Sequence, residues 1–261
     1  MTEVRTRILV SAVLVPLAFF ALYYGGFPLI LALGTVASLG SIEFVTMMRK
    51  ANIGITYMWS FVSVGAYLLL VYSGKYDILI LWLVVFIAIV EALFSWDQDR
   101  SGPKIFASLF GTLYIAIFPA MITRIGLENP EKKILLALIV MIWIVDTSAY
   151  FVGVRFGKRR NIVAVSPRKS LVGFIAGGLA PWLVLVILYI GNIYLLPWKQ
   201  LVLIAVAAGI VGQIGDLAES MLKRFCGVKD SSNLIPGHGG ILDRSDSILL
   251  AGSFLYCALK F

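Results

Sequence analysis

Nine apolar segments, each close to the length of a membrane-spanning helix, fill most of this chain of 261 residues. A helix needs about 20 mostly apolar residues to cross the hydrocarbon core of a bilayer. The chain is 60% hydrophobic and only 14% charged, whereas about a quarter of the residues in a soluble domain are charged. The sequence therefore predicts an all-α, polytopic integral membrane protein with about nine transmembrane helices. The predicted spans lie near residues 8–24, 27–47, 53–73, 77–95, 104–126, 132–152, 170–190, 198–222 and 242–260.

The breaks between the spans are short, and no polar linker or low-complexity segment divides the chain. We therefore predict a single membrane-embedded domain over residues 1–261. Ionisable side chains are few in the first five spans, so we expect residues 1–130 to supply hydrophobic scaffold helices and residues 131–261 to carry the active site. Glu43 and Glu91 lie near helix ends, from which a carboxylate can reach water.

The distribution of lysine and arginine predicts the orientation of the chain. With a cytoplasmic N-terminus, 16 of the 22 Lys and Arg residues fall in cytoplasmic segments. The positive-inside rule therefore favours an N-in, C-out topology in the plasma (inner) membrane, with the polar loops 153–169 and 223–241 on the cytoplasmic side. The net charge of +8 predicts contact with anionic membrane lipids. Nucleic acid is excluded as a partner because no zinc-finger or RNA-binding signature accompanies the charge.

The sixth span and the loop after it combine a carboxylate with a dense group of cations. Asp146 and Tyr150 are four residues apart and share a helix face. A carboxylate within a span is costly unless it is paired, hydrated or bound to a metal. Either an interhelical ion pair or a functional polar cavity would satisfy Asp146. The loop holds six cations, which a positive-inside loop would also explain: Arg155, Lys158, Arg159, Arg160, Arg168 and Lys169.

A serine and a proline near the end of this loop predict the start of the seventh span. Ser166 is a favourable N-cap, and Pro167 is favourable as the first helical residue. The free N–H groups of such a helix end, followed by Arg168, Lys169 and Ser170, would form a cradle for phosphate. No GxxxxGK[ST] motif occurs, so a bound nucleotide would be held by other means than a P-loop.

A stripe of polar residues closes the eighth span. Asp216, Glu219, Ser220 and Lys223 follow one another at helical spacing and lie on one face. The stripe is either the wall of a polar cleft or an amphipathic helix end at the membrane interface.

The ninth span opens with two acidic residues, Asp243 and Asp246, three positions apart. Asp243 could instead cap the start of the helix. This role suits Asp246 less, because Asp246 lies further into the helix. His238, the single histidine of the chain, stands between glycines and is either a surface residue or part of a site. Two or three carboxylates with one histidine and no CxxC pattern are typical of a hard cation such as Mg²⁺. Cations suited to phosphate next to such carboxylates favour metal-assisted phosphoryl or nucleotidyl transfer.

Residues 220–246 resemble the signature of the phosphatidate cytidylyltransferase family, also called the CDP-diacylglycerol synthases. The signature runs from Ser-x-apolar-Lys-Arg through Lys-Asp and His-Gly-Gly to Asp-Arg-apolar-Asp. Its fixed positions are Ser220, Lys223, Arg224, Lys229, Asp230, His238, Gly239, Gly240, Asp243, Arg244 and Asp246. The segments WIVDTSAYFVGVRFGK and SPRKS are similar to two further family segments. Two positions depart from the pattern: Ser245 replaces an apolar residue, and Val172 stands where glutamate is common.

The resemblance implies that CTP and phosphatidate react to give CDP-diacylglycerol and pyrophosphate with Mg²⁺, and it leaves a second cation open. It implies that Asp216, Asp243 and Asp246 hold the metal. The catalytic residues it implies are Lys223, Arg224, Lys229, Asp230, His238 and Asp246. The substrate-binding residues it implies are Ser166, Arg168, Lys169, Ser170, Asp146, Tyr150, Arg155, Lys158 and Arg244.

Three alternatives stay open at this point. A cytidylyltransferase for another lipid phosphate would share the same residues around its phosphates. A secondary transporter or ion pathway would use the same carboxylates without consuming CTP. A catalytically silent scaffold is disfavoured because so many charges in an apolar chain are costly. The small residues Gly173, Gly177 and Gly178 permit close helix contact, either within one chain or in a homodimer.

Overall fold

A computed structural model describes residues 3–129, 133–159 and 163–261 of the protein. Nine continuous helices run through these residues, and the predicted all-α class is confirmed. They are α1 Glu3–Tyr24, α2 Gly26–Lys50, α3 Met58–Ser73, α4 Asp77–Phe94, α5 Ser101–Glu128, α6 Lys133–Phe156, α7 Leu171–Ile190, α8 Trp198–Phe225 and α9 Leu242–Lys260. Helices α5 and α8 each contain one π-helical stretch, at Leu113–Ile117 and Ala207–Gly212. The predicted start of the sixth span at Lys132, and Arg160 of the basic loop, lie outside the described residues.

Seven of the helices in the described part of the chain are long and apolar enough to cross a membrane. The other two are α3 and α9. Helix α3 has only 16 residues, and α9 carries Asp243, Arg244, Asp246 and Lys260 within its 19 residues. The chain is therefore a polytopic helical membrane protein with seven clear candidate spans. The count of nine spans and the N-in, C-out orientation stay predictions.

The chain divides into two compact units, neither of which is a continuous stretch of sequence. The first unit contains Met1–Arg124 and Lys223–Ser245, and the second contains Ile125–Leu222 and Asp246–Phe261. Helices α5, α8 and α9 thus each contribute residues to both units. The expected division near residue 130 into scaffold and active-site parts stays a prediction.

Helix α2 supplies much of the core of the first unit. Leu29, Leu33 and Ala37 follow one another in steps of four, which places them on one face, and all three are buried. Further along the helix, Phe44 packs so closely on α5 that a Cβ at Gly111 would lie 2.5 Å from its ring.

Two ion pairs with buried cations, Lys104 and Arg124, join neighbouring helices of this unit. Lys104 lies 2.8 Å from Glu91, and Arg124 lies 2.5 Å from Asp77. The carboxylate of Glu91 therefore meets a cation on α5.

In the second unit, α6 and α7 approach closely because small residues face one another. A Cβ at Gly173 would lie 2.6 Å from the carbonyl oxygen of Ala149 and 3.0 Å from the Cα of Gly153. A Cβ at Gly177 would lie 3.2 Å from that of Ala149, and one at Gly178 would lie 3.6 Å from the carbonyl oxygen of Gly209. Gly173, Gly177 and Gly178 therefore all make close helix contacts within one chain.

We expect Gly173→Ala to destabilise the protein, because the added methyl group has no room against the backbone of α6. Overpacking of this kind costs about 1–3 kcal/mol. Thermal unfolding in detergent measures the effect as a lowered midpoint. Gly65→Ala in α3 is the matched control: a Cβ there meets nothing within 4 Å, and alanine favours the helix. A midpoint for Gly173→Ala as high as that of Gly65→Ala would contradict the close packing.

Candidate active site

The signature loop, defined here as residues 226–241, joins α8 to α9 and turns sharply at its centre. The backbone N–H of His238 donates to the carbonyl of Ile235 at 2.9 Å, and the N–H of Ile235 donates to the carbonyl of Gly239 at 2.8 Å. Pro236 and Gly237 occupy the two central positions of the turn, and Gly237 has a φ of 75°. Proline followed by a glycine with positive φ is the pairing that a type II turn favours. The glycines around His238 are therefore explained by chain geometry.

Asp243 holds the two ends of the signature loop together. Its Oδ1 accepts from the Lys223 ammonium at 2.6 Å. Its Oδ2 accepts from the N–H of Ser231 at 2.9 Å and the N–H of Gly240 at 2.8 Å. It also lies 2.9 Å from the Ser231 hydroxyl, whose single proton it shares with Oε2 of Glu43. Two residues that the signature predicted, Lys223 and Asp243, are thus in direct contact.

A glutamate of α2 forms the second anchor of the loop. Glu43 is 5% exposed. Its Oε1 accepts from the Ser232 hydroxyl at 2.6 Å and the N–H of Ile241 at 2.9 Å. Its Oε2 accepts from the Ser231 hydroxyl at 2.9 Å and the N–H of Leu242 at 3.0 Å. The expectation that this side chain reaches water is wrong, because it is satisfied by loop donors instead.

Gly240 is required by the two anchors. A Cβ at this position would lie 2.5 Å from Oε2 of Glu43 and would overlap the Ser231 hydroxyl. The second glycine of His-Gly-Gly therefore leaves room for the carboxylate of Glu43.

His238 is held through both its ring and its backbone. Its Nε2 lies 3.1 Å from the hydroxyl of Ser11 on α1, and its carbonyl accepts from Nε of Arg244 at 3.0 Å. Arg244, predicted to bind substrate, thus contacts the loop backbone in this structure.

Three further charged residues of the signature are exposed. Arg224 donates to the carbonyl of Val228 at 3.1 Å and is exposed. Lys229 and Asp230 are also exposed, so their side chains are accessible to a ligand in solution.

The second unit contains a cleft of about 530 Å³. Six residues predicted from the sequence line it: Asp146, Tyr150, Arg168, Lys169, Ser170 and Asp216. They come from α6, the loop before α7, and α8. Lys169 forms an ion pair with Asp216, in which each side chain is about one-third exposed, and the Ser220 hydroxyl donates to Oδ1 of Asp216 at 3.5 Å. The polar stripe of α8 therefore reaches a cleft wall at Asp216, whereas Glu219 is buried, with an exposed fraction of 1%.

The prediction that Ser166 caps α7 is wrong. The helix begins at Leu171, and its N-cap is Ser170, whose Oγ accepts from the N–H of Gly173 at 3.2 Å. Ser166 instead begins a turn, in which its carbonyl accepts from the N–H of Lys169 at 3.1 Å. Proline is favoured at the second position of such a turn as much as at the first position of a helix, so the Ser-Pro pair was ambiguous.

Four residues predicted to bind substrate are not among the described residues that line the cleft. They are Ser166, Arg155, Lys158 and Arg244. Arg155 is in the last turn of α6, where its guanidinium lies 5.7 Å from the ring centre of Phe156. Arg155 and Lys158 are both exposed.

The carboxylates suit Mg²⁺ by their chemistry. Within the described ranges, no group of three or more His, Cys, Asp or Glu side chains is arranged to hold a metal ion. Mg²⁺ usually needs only one or two protein carboxylates together with substrate phosphates. Asp216 and Asp246 both belong to the second unit, where α8 and α9 meet so closely that a Cβ at Gly215 would lie 2.8 Å from the carbonyl oxygen of Asp246. This donor set fits a hard cation.

The fold and the cleft define a class of protein: a helical membrane protein whose polar site carries both cations and carboxylates, as a phosphate-bearing substrate requires. A family model described as the cytidylyltransferase family matches residues 5–261. The chain belongs to this family, and it is therefore a nucleotidyltransferase. The family predicted from residues 220–246 is confirmed.

Three curated relatives match the chain over nearly its full length. The phosphatidate cytidylyltransferase of Bacillus subtilis is 33% identical over 99% of this chain and 98% of its own length. That of Haemophilus influenzae is 35% identical over 95% of this chain and 93% of its own length. That of Thermotoga maritima is 27% identical over 100% of this chain and 97% of its own length.

Proposed function

We propose that this protein is a phosphatidate cytidylyltransferase that converts CTP and phosphatidate to CDP-diacylglycerol and pyrophosphate. The observation that carries the proposal is the similarity, over nearly the full chain, to relatives of that name. Those of Bacillus subtilis and Haemophilus influenzae are 33% and 35% identical to this chain. The match at every fixed position of the signature from Ser220 to Asp246 supports it, because these residue types suit the chemistry of two phosphates.

The reaction joins two anions. An oxygen of the phosphatidate phosphate attacks the α-phosphorus of CTP, and the bond from that phosphorus to the oxygen that bridges it to the β-phosphorus breaks. Pyrophosphate leaves with the electron pair of that bond. The attacking phosphate is already ionised at neutral pH, so proton removal contributes little. The main demand on the protein is to position the reactants and neutralise their negative charge.

The residues of the cleft supply the charges that this demand requires. Arg168 and Lys169 offer cations beside the Ser170 cap, and Lys169 is already directed at the carboxylate of Asp216. We infer that a substrate phosphate competes with Asp216 for Lys169 and is bound there. The exposed faces of Tyr150 and Val154 beside the cleft provide apolar contacts for the lipid part of phosphatidate.

The signature loop and the helix ends beside it supply a second set of charges. Asp243 holds the Lys223 ammonium in one place. Arg224 at the end of α8 is exposed, as are Lys229 and Asp230 in the loop. We infer that Lys223, Arg224 and Lys229 neutralise phosphate oxygens. The role of His238 is to orient a phosphate, which its contact with Ser11 assists by fixing the ring.

Mg²⁺ would be held by Asp216 and Asp246 of the second unit. When bound, it would act as a Lewis acid that offsets charge on phosphate oxygens. Asp243, the third aspartate predicted to hold the metal, accepts from the Lys223 ammonium and from the N–H groups of Ser231 and Gly240.

The proposed setting of the reaction is the cytoplasmic side of the inner membrane. The excess of lysine and arginine in the segments assigned to the cytoplasm supports this orientation. CTP would then reach the site from the cytoplasm, and phosphatidate from the bilayer.

Incorporation of radiolabelled CTP into lipid tests the function. Purified protein in phosphatidate-containing micelles is expected to label a chloroform-soluble product and to release an equal amount of pyrophosphate. Labelling with another lipid phosphate but not with phosphatidate would favour the sister enzyme. Substrate flux in proteoliposomes without CTP consumption would favour a transporter.

We expect EDTA to abolish this incorporation, because the phosphates then lose their divalent counter-charge. Added Mg²⁺ in excess over the chelator is expected to restore the rate. The measurement is the initial rate of lipid labelling against free Mg²⁺ concentration. An unchanged rate in EDTA would contradict the metal assignment but leave the transfer reaction intact.

A further inference from the structure

The carboxylate of Glu43 has an unusual set of partners for a residue of an apolar helix. It accepts four hydrogen bonds, two on each oxygen, and every donor belongs to residues 231–242. Within the described residues, no Lys, Arg or His forms an ion pair with it. A carboxylate that is 5% exposed and satisfied in this way fixes its donors in one arrangement.

Two of the four donors are the N–H groups of Ile241 and Leu242, where α9 begins. The first N–H groups of a helix have no partner within the helix and need one from elsewhere. Glu43 therefore caps α9 from another helix, and its negative charge lies at the favourable end of the helix dipole. This contact fixes where α9 starts, and so it fixes Asp243 one residue later.

The other two donors are the hydroxyls of Ser231 and Ser232. The Ser231 hydroxyl lies 2.9 Å from Glu43 Oε2 and also 2.9 Å from Asp243 Oδ2. Asp243 in turn lies 2.6 Å from the Lys223 ammonium. Three contacts thus lead from Glu43 through Ser231 and Asp243 to Lys223.

We propose that Glu43 is a positioning residue for cytidylyl transfer, which acts through Ser231 and Asp243 to fix the place of the Lys223 ammonium. The inference rests on the proposed function for its activity readout. Glu43 lies outside the signature, and it makes no contribution to chemistry of its own. Its effect is to hold the signature loop in the geometry in which Lys223 meets the phosphate.

Glu43→Gln tests the proposal most directly, because the amide keeps the shape but faces two of the four donors with an NH₂ group. We expect kcat to fall about 10- to 100-fold, the usual effect of losing a partner that orients a functional group. The KM for CTP is expected to change little, because the cations that bind the triphosphate are retained. In hydrogen exchange, the amides of Ile241 and Leu242 are expected to lose protection.

Glu91→Gln is the matched control. Glu91 is also a glutamate of the first unit, with a side chain that is 14% exposed, but its partners are Lys104, Thr56 and Trp59, none of them in the signature loop. We expect this variant to lower the melting temperature and to leave kcat and the exchange of Ile241 and Leu242 unchanged. If both variants lost kcat in proportion to their loss of stability, Glu43 would have only a structural role and the proposal would be wrong.

Ser232→Ala and Ser231→Ala are the milder variants, and they decide the matter if Glu43→Gln is not recovered in folded form. Each removes a hydroxyl that contacts Glu43, and each is expected to lower kcat. In the double variant Glu43→Gln, Ser231→Ala, the loss is expected to be smaller than the product of the single losses, because both act on the same contact. Wild-type kcat in the serine variants, or losses that multiply, would overturn the proposal.

An inactive wild-type protein would instead refute the proposed function. The hydrogen exchange of the Ile241 and Leu242 amides would still report on Glu43.

Discussion

Asp246→Asn is expected to reduce CDP-diacylglycerol formation at least about 100-fold, the loss typical of removing one element of transition-state charge stabilisation. Asparagine keeps the shape of the side chain but loses the negative charge that a hard cation requires. The position supports this expectation, because Asp246 lies early in α9, where the backbone of α9 packs against Gly215, the neighbour of Asp216. The initial rate of lipid labelling measures the effect.

Asp99→Asn provides the control for this variant. Asp99 is an exposed aspartate that lies between α4 and α5, and the substitution makes the same chemical change. We expect its rate to equal that of the wild type. Near-normal turnover by Asp246→Asn, with a normal melting temperature, would remove Asp246 from the metal site.

Lys223→Ala is expected to lower kcat by a similar factor, about 100-fold, because an ammonium that neutralises a phosphate is lost. The same change leaves the carboxylate of Asp243 without its ion-pair partner, although its side chain is only 5% exposed. Breaking a buried pair in this way costs about 3–5 kcal/mol of stability.

Lys104→Ala separates these two effects. Lys104 and Glu91 form a comparably buried pair, with 9% and 14% exposed side chains, in the same unit but outside the signature loop. We expect this variant to melt at a lower temperature with an unchanged kcat. If Lys223→Ala lost no more activity than Lys104→Ala at a temperature where both are folded, Lys223 would have no role in charge neutralisation.

Hydropathy was sufficient to predict the helices, because each span must satisfy its own backbone hydrogen bonds in an apolar solvent. The nine predicted segments correspond to the nine helices in the described part of the chain, but length and charge set α3 and α9 apart from the other seven. Spacing along one helix also predicted that Asp146 and Tyr150 would share a surface, and both line the cleft.

The residues that sequence reasoning missed depend on contacts between distant parts of the chain. Glu43 meets Ser231 and Leu242 across 188 and 199 residues, and no local pattern reports such pairings. Ser166 was assigned wrongly for a different reason: a serine followed by proline suits a turn as well as a helix start. One feature of the sequence did mark Glu43: a charged carboxylate in an apolar helix is energetically costly. It needs partners that the nearby sequence does not supply.

The central claim is that this protein transfers the cytidylyl group of CTP to the phosphate of phosphatidate. CTP labelled either at the α-phosphate or at the γ-phosphate tests it most directly, in parallel reactions with purified protein, Mg²⁺ and phosphatidate micelles. We predict that the α-label appears in the lipid and the γ-label in pyrophosphate, in equal amounts and only with active protein. The γ-label in the lipid would indicate a kinase, and folded protein that left both labels in CTP would contradict the account.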